Sequence, residues 1–219
     1  MMPATTSSVV RRPSSSNPST TGPILVNTPS HLLITWAIKK GMDLNQKPVH
    51  GAAFLWGSVM PDLPLTVLTI GYMIYRQWIA PIDEFIFGPT YDALYFTNPW
   101  WIVGHNLFHS PVILAVLAAL GYWSMQHWPT QRGQKWGFVL LWFAAGCTLH
   151  SVIDIFTHHN DGPLLFFPLN WQLRFISPVS YWDPNHYGTL FAPIELALDL
   201  AILAWMGRLW WQRRRMVRG

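Results

Sequence analysis

The sequence predicts an all-α, multi-pass transmembrane helical bundle with about four spanning helices plus short helices. Three observations carry that prediction. Hydrophobic residues make up 51% of the 219 positions and charged residues only 11%, against roughly 25% in an ordinary soluble domain. No Asp, Glu, Lys or Arg occurs between Ala93 and Gln131, or between Trp136 and Ile153. The 14 tryptophans and 12 phenylalanines suit a chain that lies in and across a bilayer. The same arithmetic argues against a disordered protein, a coiled coil and a charge-rich soluble domain, and against nucleic acid as a partner despite the net charge of +4. The lone Cys147 forbids an intramolecular disulfide and a CxxC zinc site.

Residues 1–29 are rich in Ser, Thr and Pro, with Arg11 and Arg12 as the only charges. Their longest apolar run, Ile24-Leu25-Val26, is too short for a signal-peptide core, so the segment reads as a disordered tail. Ser30 reads as an N-cap for a short helix from His31 to Lys40 that ends at Gly41. About ten residues do not span a bilayer, which needs roughly twenty. Gly51–Tyr75 is apolar and interrupted by Pro61-Asp62-Leu63-Pro64. Pro99, Gly104 and Pro111 break the next stretch and leave Ser110 to about Trp128 as its spanning part. Trp136–Ile153 follows, then Thr189–Trp211, which carries Glu195 and Asp199. The membrane-embedded unit is therefore residues 30–211, with a basic tail over 212–219.

If these spans alternate in direction, Arg11, Arg12, Lys39, Lys40, Lys47, Arg132, Lys135, Arg208, Arg213, Arg214, Arg215 and Arg218 fall on one side, leaving only Arg76 and Arg174 on the other. Most acids outside the helices (Asp83, Glu84, Asp92, Asp161, Asp183) fall opposite. The positive-inside rule then places the C-terminus in the cytoplasm. Trp100, Trp101, Trp171 and Trp182 lie near the outer boundary and Trp210 and Trp211 near the inner one, as interface anchors do.

Nine histidines in so apolar a chain need an explanation, because ionisable groups at membrane depth are costly and often functional. His150, Asp154 and His158 are spaced at i, i+4 and i+8, within about 80° on one helical face if the helix reaches His158. Those donor types suit zinc, with iron or manganese as alternatives. His105 and His109 precede Ser110-Pro111. They share a face if a helix already runs through His105, and lie in a loop if Ser110 caps the helix that follows. Asp62, directly after Pro61 in an apolar segment, needs a partner such as a metal or a histidine. In the topology above, His31 falls at the same end as the other three groups. His159 and Asp161 lie beside the cluster, Glu195 and Asp199 share one face of the last helix, and Gly162–Trp171 reads as a packed outer loop.

The succession SHLL, GSVMPD, GHNLFHS and LHSVIDIFTHHNDGPLLFFPLNWQLRF resembles the bacterial membrane-bound metal-dependent hydrolases of the YdjM type, LexA-regulated inner-membrane proteins. The likeness runs from about Pro29 to Arg174. The order His, Pro-Asp, His, His-x3-Asp is more distantly similar to that of zinc-dependent phospholipase C. The resemblance implies a multi-pass protein of the bacterial inner membrane and a metal set of His31, Asp62, His105, His109, His150, Asp154 and His158. It also implies catalytic roles for Asp62 and Asp154. The chain departs from the family's PDxDH at Pro61-Asp62-Leu63-Pro64-Leu65, and from its HRGxTHS at His105–Ser110, which lacks the arginine.

The chemistry so implied is hydrolysis by a metal-activated water, with zinc as the cofactor and manganese or iron as alternatives. A phosphoester or lipid-derived molecule is the expected class of substrate, which the sequence does not name, and the bilayer is the expected partner. Two alternatives stay open at this level: a non-catalytic metal- or haem-binding membrane protein, and a di-iron oxidase or desaturase. Against the latter, His158-His159 is the one paired histidine and has no histidine two or three residues upstream.

Overall fold

A computed structural model describes residues 27–218 apart from 82, 83 and 182. The tail up to residue 26, with Arg11 and Arg12, and also Asp83 and Trp182, lie outside the described residues. Eight α-helices follow one another: α1 Asn27–Leu44, α2 Gly51–Gly57, α3 Asp62–Trp78, α4 Pro89–Thr97, α5 Pro99–Asn106, α6 Pro111–His127, α7 Gln131–Thr157 and α8 Gly188–Arg218. A short 3-10 turn, Pro184–His186, precedes α8. Among the described residues the only β pairing is an isolated bridge between Leu164 and Arg174.

Among the described residues two helices, α7 and α8, are long and apolar enough to cross a membrane. The count becomes four if α2 with α3 (bent by 46°) and α5 with α6 (bent by 47°) each form one broken span. Proline sets both breaks. Pro61 directly precedes α3, and Pro111 occupies the first turn of α6, where its missing N–H costs nothing. In α8 leucines and isoleucines are exposed on the faces turned away from α1, among them Leu190, Ile194, Leu196, Leu198, Leu200 and Leu203. Such a surface suits hydrocarbon rather than water.

The centre of the bundle is the antiparallel pair α6 and α7, which turns at Trp128–Thr130. Thr130 caps α7 by accepting a hydrogen bond from Gly133 N at 3.2 Å. Small residues let the backbones touch. A Cβ on Gly137 would lie 2.6 Å from Gly121 O, and one on Gly146 would collide with the Phe54 carbonyl of α2. Close glycine-mediated approach is how helices gain packing where no water drives them together. Beyond the bend, α3, α4 and α5 share an aromatic cluster of Tyr72, Tyr91 and Trp101. At the opposite edge α1 lies beside α8, with Trp36 and Trp205 in edge contact at 6.5 Å.

Three helices have bounds that differ from expectation. α1 starts before Ser30 and runs through Gly41. Ser30 is buried in it and donates to Asp199 instead of capping the helix; a helical glycine is a modest penalty that tertiary packing overrides. α7 stops at Thr157, so His158 is its C-cap with extended backbone. α8 continues about two turns past the expected apolar stretch, to Arg218.

The loop before α4 is closed by one carboxylate. Glu84 accepts from Thr90 N at 3.0 Å and Thr90 Oγ1 at 2.7 Å, and these bonds hold its carboxyl below the usual range. A depressed carboxyl contributes stability above its unfolded pKa and loses it as the pH falls through the folded value. Glu84→Gln is therefore expected to melt below wild type at pH 7, with the gap closing as the pH drops below 4.5. A thermal melt series in detergent reads this; a gap independent of pH would refute it.

Candidate metal centre

Helix ends and breaks assemble the centre. Asp62 opens α3, where a carboxylate also meets the favourable end of the helix dipole. His109 lies in the break between α5 and α6, and His150 and Asp154 project from the last two turns of α7. His31 sits near the start of α1. The two expectations for His105 and His109 resolve into a mixture: His105 is in the last turn of α5 and His109 in the loop after it.

One donor atom from each of Asp62, His109, His150 and Asp154 comes within 4.8 Å of the others. His109 and His150 are fully buried and Asp154 is 5% exposed. Asp154 Oδ2 lies 3.1 Å from both His109 Nε2 and His150 Nε2, and Asp62 Oδ1 lies 3.7 and 3.3 Å from the same two atoms. The other oxygen of Asp62 accepts a 2.5 Å hydrogen bond from Thr28 Oγ1, which turns Oδ1 inward.

The opposite edges of the two rings decide their chemistry. His150 Nδ1 is 2.8 Å from Ser58 O and His109 Nδ1 is 2.5 Å from His105 O. A carbonyl oxygen only accepts, so both Nδ1 atoms donate. In the neutral ring Nε2 then carries a lone pair, and here it faces carboxylate oxygens. Two lone pairs do not meet at 3.1 Å without a cation between them, either an imidazolium proton or a metal. His150 Nε2 is buried with no hydrogen-bond partner, so the residues present fit a metal. Tying Nδ1 to a carbonyl is also the usual way a ligand histidine is oriented.

The remaining nominated residues take different places. His31 reaches Asp154 from its other oxygen, with Nε2 3.1 Å from Oδ1, and stacks on His150 at 3.9 Å. His158 lies at the rim, 4.0 Å from Asp154 Oδ1, and pairs through Nδ1 with Asp161 at 3.2 Å. Burial lowers the His158 pKa, but Asp161 and the more distant carboxylates outweigh it and lift the imidazole to about 9. His105 stands behind His109, outside the group of four. It bonds to Tyr95 Oη at 3.0 Å, and Tyr95 in turn donates to Asp161 O at 2.5 Å. His159 turns away to Ser177 O and stacks on His186.

The outer loop packs over this end. Leu164 and Phe167 are buried against Ile102, Leu164 N donates to Asn106 Oδ1 at 2.6 Å, and Ser110 Oγ donates to Phe167 O at 2.6 Å. Arg174 donates to Gly162 O and lies over the Tyr95 and Phe96 rings. Asn106 and Tyr95 were missed by sequence reasoning. An asparagine between two histidines in an uncharged run was the available signal for the first; nothing marked the second.

The model of the YdjM inner membrane protein family matches residues 26–218. The chain belongs to that family. The match extends through α8, beyond the segment where the sequence motifs alone showed the likeness, and makes this a membrane protein of the YdjM type. No curated protein and no solved structure matches the chain, so the distant likeness to zinc-dependent phospholipase C has no support from them. YdjM membership and the four-residue group together establish a membrane protein with a candidate metal site.

Proposed function

We propose that this YdjM-family protein is a membrane-embedded metal-dependent hydrolase acting on a phosphoester, in particular one derived from lipid. The observation that carries the reading is the convergence of two imidazoles and two carboxylates on one buried point, with both imidazole protons spent on backbone carbonyls. Asp62, His109, His150 and Asp154 would hold the metal, zinc in the first place and manganese or iron as alternatives. A divalent metal there supplies Lewis acidity, lowering the pKa of a water and polarising an ester oxygen.

The chain's own residues supply the rest. Asp154 spans the centre, one oxygen on His109 and His150 and the other toward His31 and His158; this supports a role for it in passing a proton outward. Asp62 is the most open of the four, with a quarter of its side chain exposed, and so marks the side a substrate approaches. His158 at the rim sets a positive group where an anionic ester arrives. Bis-imidazole haem fits less well, since it needs its two rings on opposite faces of a macrocycle, whereas His109 and His150 stand 5.0 Å apart against one carboxylate oxygen. With its basic end in the cytoplasm, by the charge asymmetry of the loops, the site opens to the other side of the inner membrane.

The test is turnover of p-nitrophenyl phosphate and bis-p-nitrophenyl phosphate by purified protein in detergent, beside its metal content. Hydrolysis that a chelator removes and zinc or manganese restores is expected. Metal-replete protein that cleaves neither ester overturns the hydrolase reading and favours a metal carrier; a Soret band without zinc favours haem.

A further inference from the structure

The loop that follows α7 has two apolar faces, and the bundle accounts for one of them. Between Asp161 and Arg174 it carries no charged residue. Leu164 and Phe167 turn inward onto Ile102 of α5, and Ile113 in the first turn of α6 packs against the same cluster. The other apolar side chains turn outward: Leu169 is 80% and Ile176 68% exposed, with Phe166, Trp171, Leu173 and Phe175 exposed beside them. Loops that face water turn on polar residues, and an exposed apolar patch of this kind marks a contact surface.

The backbone of the loop is largely paired without water. Leu164 N donates to Asn106 Oδ1 and Leu165 N to Leu173 O. Leu169 N and Asn170 N both donate to Phe166 O, and Asn170 Oδ1 accepts from Gln172 N and Leu173 N. The indole N–H of Trp171 is spent on Pro168 O at 3.0 Å. Irregular backbone is excluded from hydrocarbon itself and costs least at its boundary when its polar groups already have partners. The flanking charges stay at the base of the loop, where Asp161 pairs with His158 and Arg174 donates to Gly162 O.

Depth supplies an independent argument. From Trp136 to Phe156, α7 rises about 30 Å, the thickness of a bilayer's hydrocarbon. Both of these residues are exposed, so Phe156 marks the boundary at the metal-centre end. The ring of Phe175 meets Phe156 edge-on at 5.4 Å. The outward face of the loop therefore continues the lipid-facing surface of α7 at the level where headgroups meet acyl chains.

We propose that Leu164–Ile176 is a loop seated in the membrane interface, with Phe166, Leu169, Trp171 and Ile176 lodged among the lipids of the leaflet at the metal-centre end. Buried apolar area and amphipathic rings hold it there, as they hold interfacial helices. Ser110, the residue after His109, donates to Phe167 O at 2.6 Å, so the seat ties the lipid boundary to the edge of the metal centre. It does not depend on whether that centre hydrolyses an ester.

The test places a nitroxide at Leu169→Cys, in a Cys147→Ala background, on the full chain reconstituted into phosphatidylcholine–phosphatidylglycerol vesicles. Power-saturation electron paramagnetic resonance then compares collisions with oxygen, which concentrates in lipid, and with a water-soluble nickel chelate. Oxygen is expected to dominate at Leu169→Cys, and the chelate at Asn185→Cys, an exposed position on the 3-10 turn. A chelate that reaches both positions equally overturns the seat. Loss of both collision partners at Leu169→Cys, with broadening between labels, gives the face to a second copy of the chain and overturns it too. Should the labelled chains not fold, wild type decides by photolysis with a phosphatidylcholine that carries a diazirine near its acyl carbonyl. Adducts are expected on residues 166–176, and adducts confined to the helices overturn the seat.

Discussion

Asp154→Asn is expected to lower metal affinity by about 100-fold or more, the upper end of what loss of a mere supporting group costs. Asp154 is the one residue that meets every imidazole of the centre: His109 and His150 through Oδ2, His31 through Oδ1, each at 3.1 Å. Asparagine keeps the shape and removes the charge, so helix α7 keeps its packing while the cation loses half of its compensating carboxylate charge. The thermodynamic signature is separable from folding. A ligand at about a thousand times its Kd adds roughly 4 kcal/mol to the folded state, and a 100-fold weaker site gains only about 1.4 kcal/mol at the same concentration, so that zinc concentration should raise the melting temperature of Asp154→Asn by about a third of the wild-type shift or less. His105→Gln supplies the contrast, since His105 stands on Tyr95 behind the centre, and it should keep both metal and shift. Asp154→Asn protein that retains stoichiometric metal and the full shift would refute the centre as drawn.

What the sequence made legible follows the range of the forces involved. His150 and Asp154 share one face because an uninterrupted helix fixes i and i+4, and α7 provides that helix. Asp62 was legible from cost, a carboxylate behind a proline in an apolar segment, and the partners it needed are His109 and His150. His158 was not, because its place depends on where α7 stops, and a C-cap is decided by what the next loop bonds to. His105 and His109 have equal claims in sequence. The loop over 107–110 gives the centre to His109, since α5 ends just after His105 and leaves that ring to Tyr95. The carbonyls of Ser58 and His105 that fix both tautomers are backbone atoms, and no residue type announces them. The same holds for the start of α1, which the contact of Ser30 with α8 decides across 169 residues.

Asn106→Leu is expected to unfasten the outer loop from the bundle at a cost of about 2 to 3 kcal/mol, the price of stranding a buried amide donor and carbonyl partner. Asn106 is fully buried. Its Oδ1 accepts from Leu164 N at 2.6 Å and its Nδ2 donates to Ile102 O at 2.8 Å, so one amide ties α5 to the segment that covers the metal centre. Leucine satisfies neither bond, and Leu164 has no water to turn to, being itself fully buried. The measurement follows from the charge pattern: Arg174 is the only Lys or Arg between Lys135 and Arg208, hence the only tryptic site in that stretch. In wild type it is tied to Gly162 O and covers the rings of Tyr95 and Phe96, which protects it. Cleavage through local opening tracks the opening free energy, and each 1.4 kcal/mol is about tenfold, so Asn106→Leu should speed cleavage at Arg174 by roughly 30- to 100-fold. Ser110→Ala, which removes the single bond to Phe167 O, should speed it by about tenfold or less. Equal rates for wild type and Asn106→Leu would show that apolar packing of Leu164 and Phe167 on Ile102 alone holds the loop, and that the asparagine between the two histidines serves α5 rather than the site.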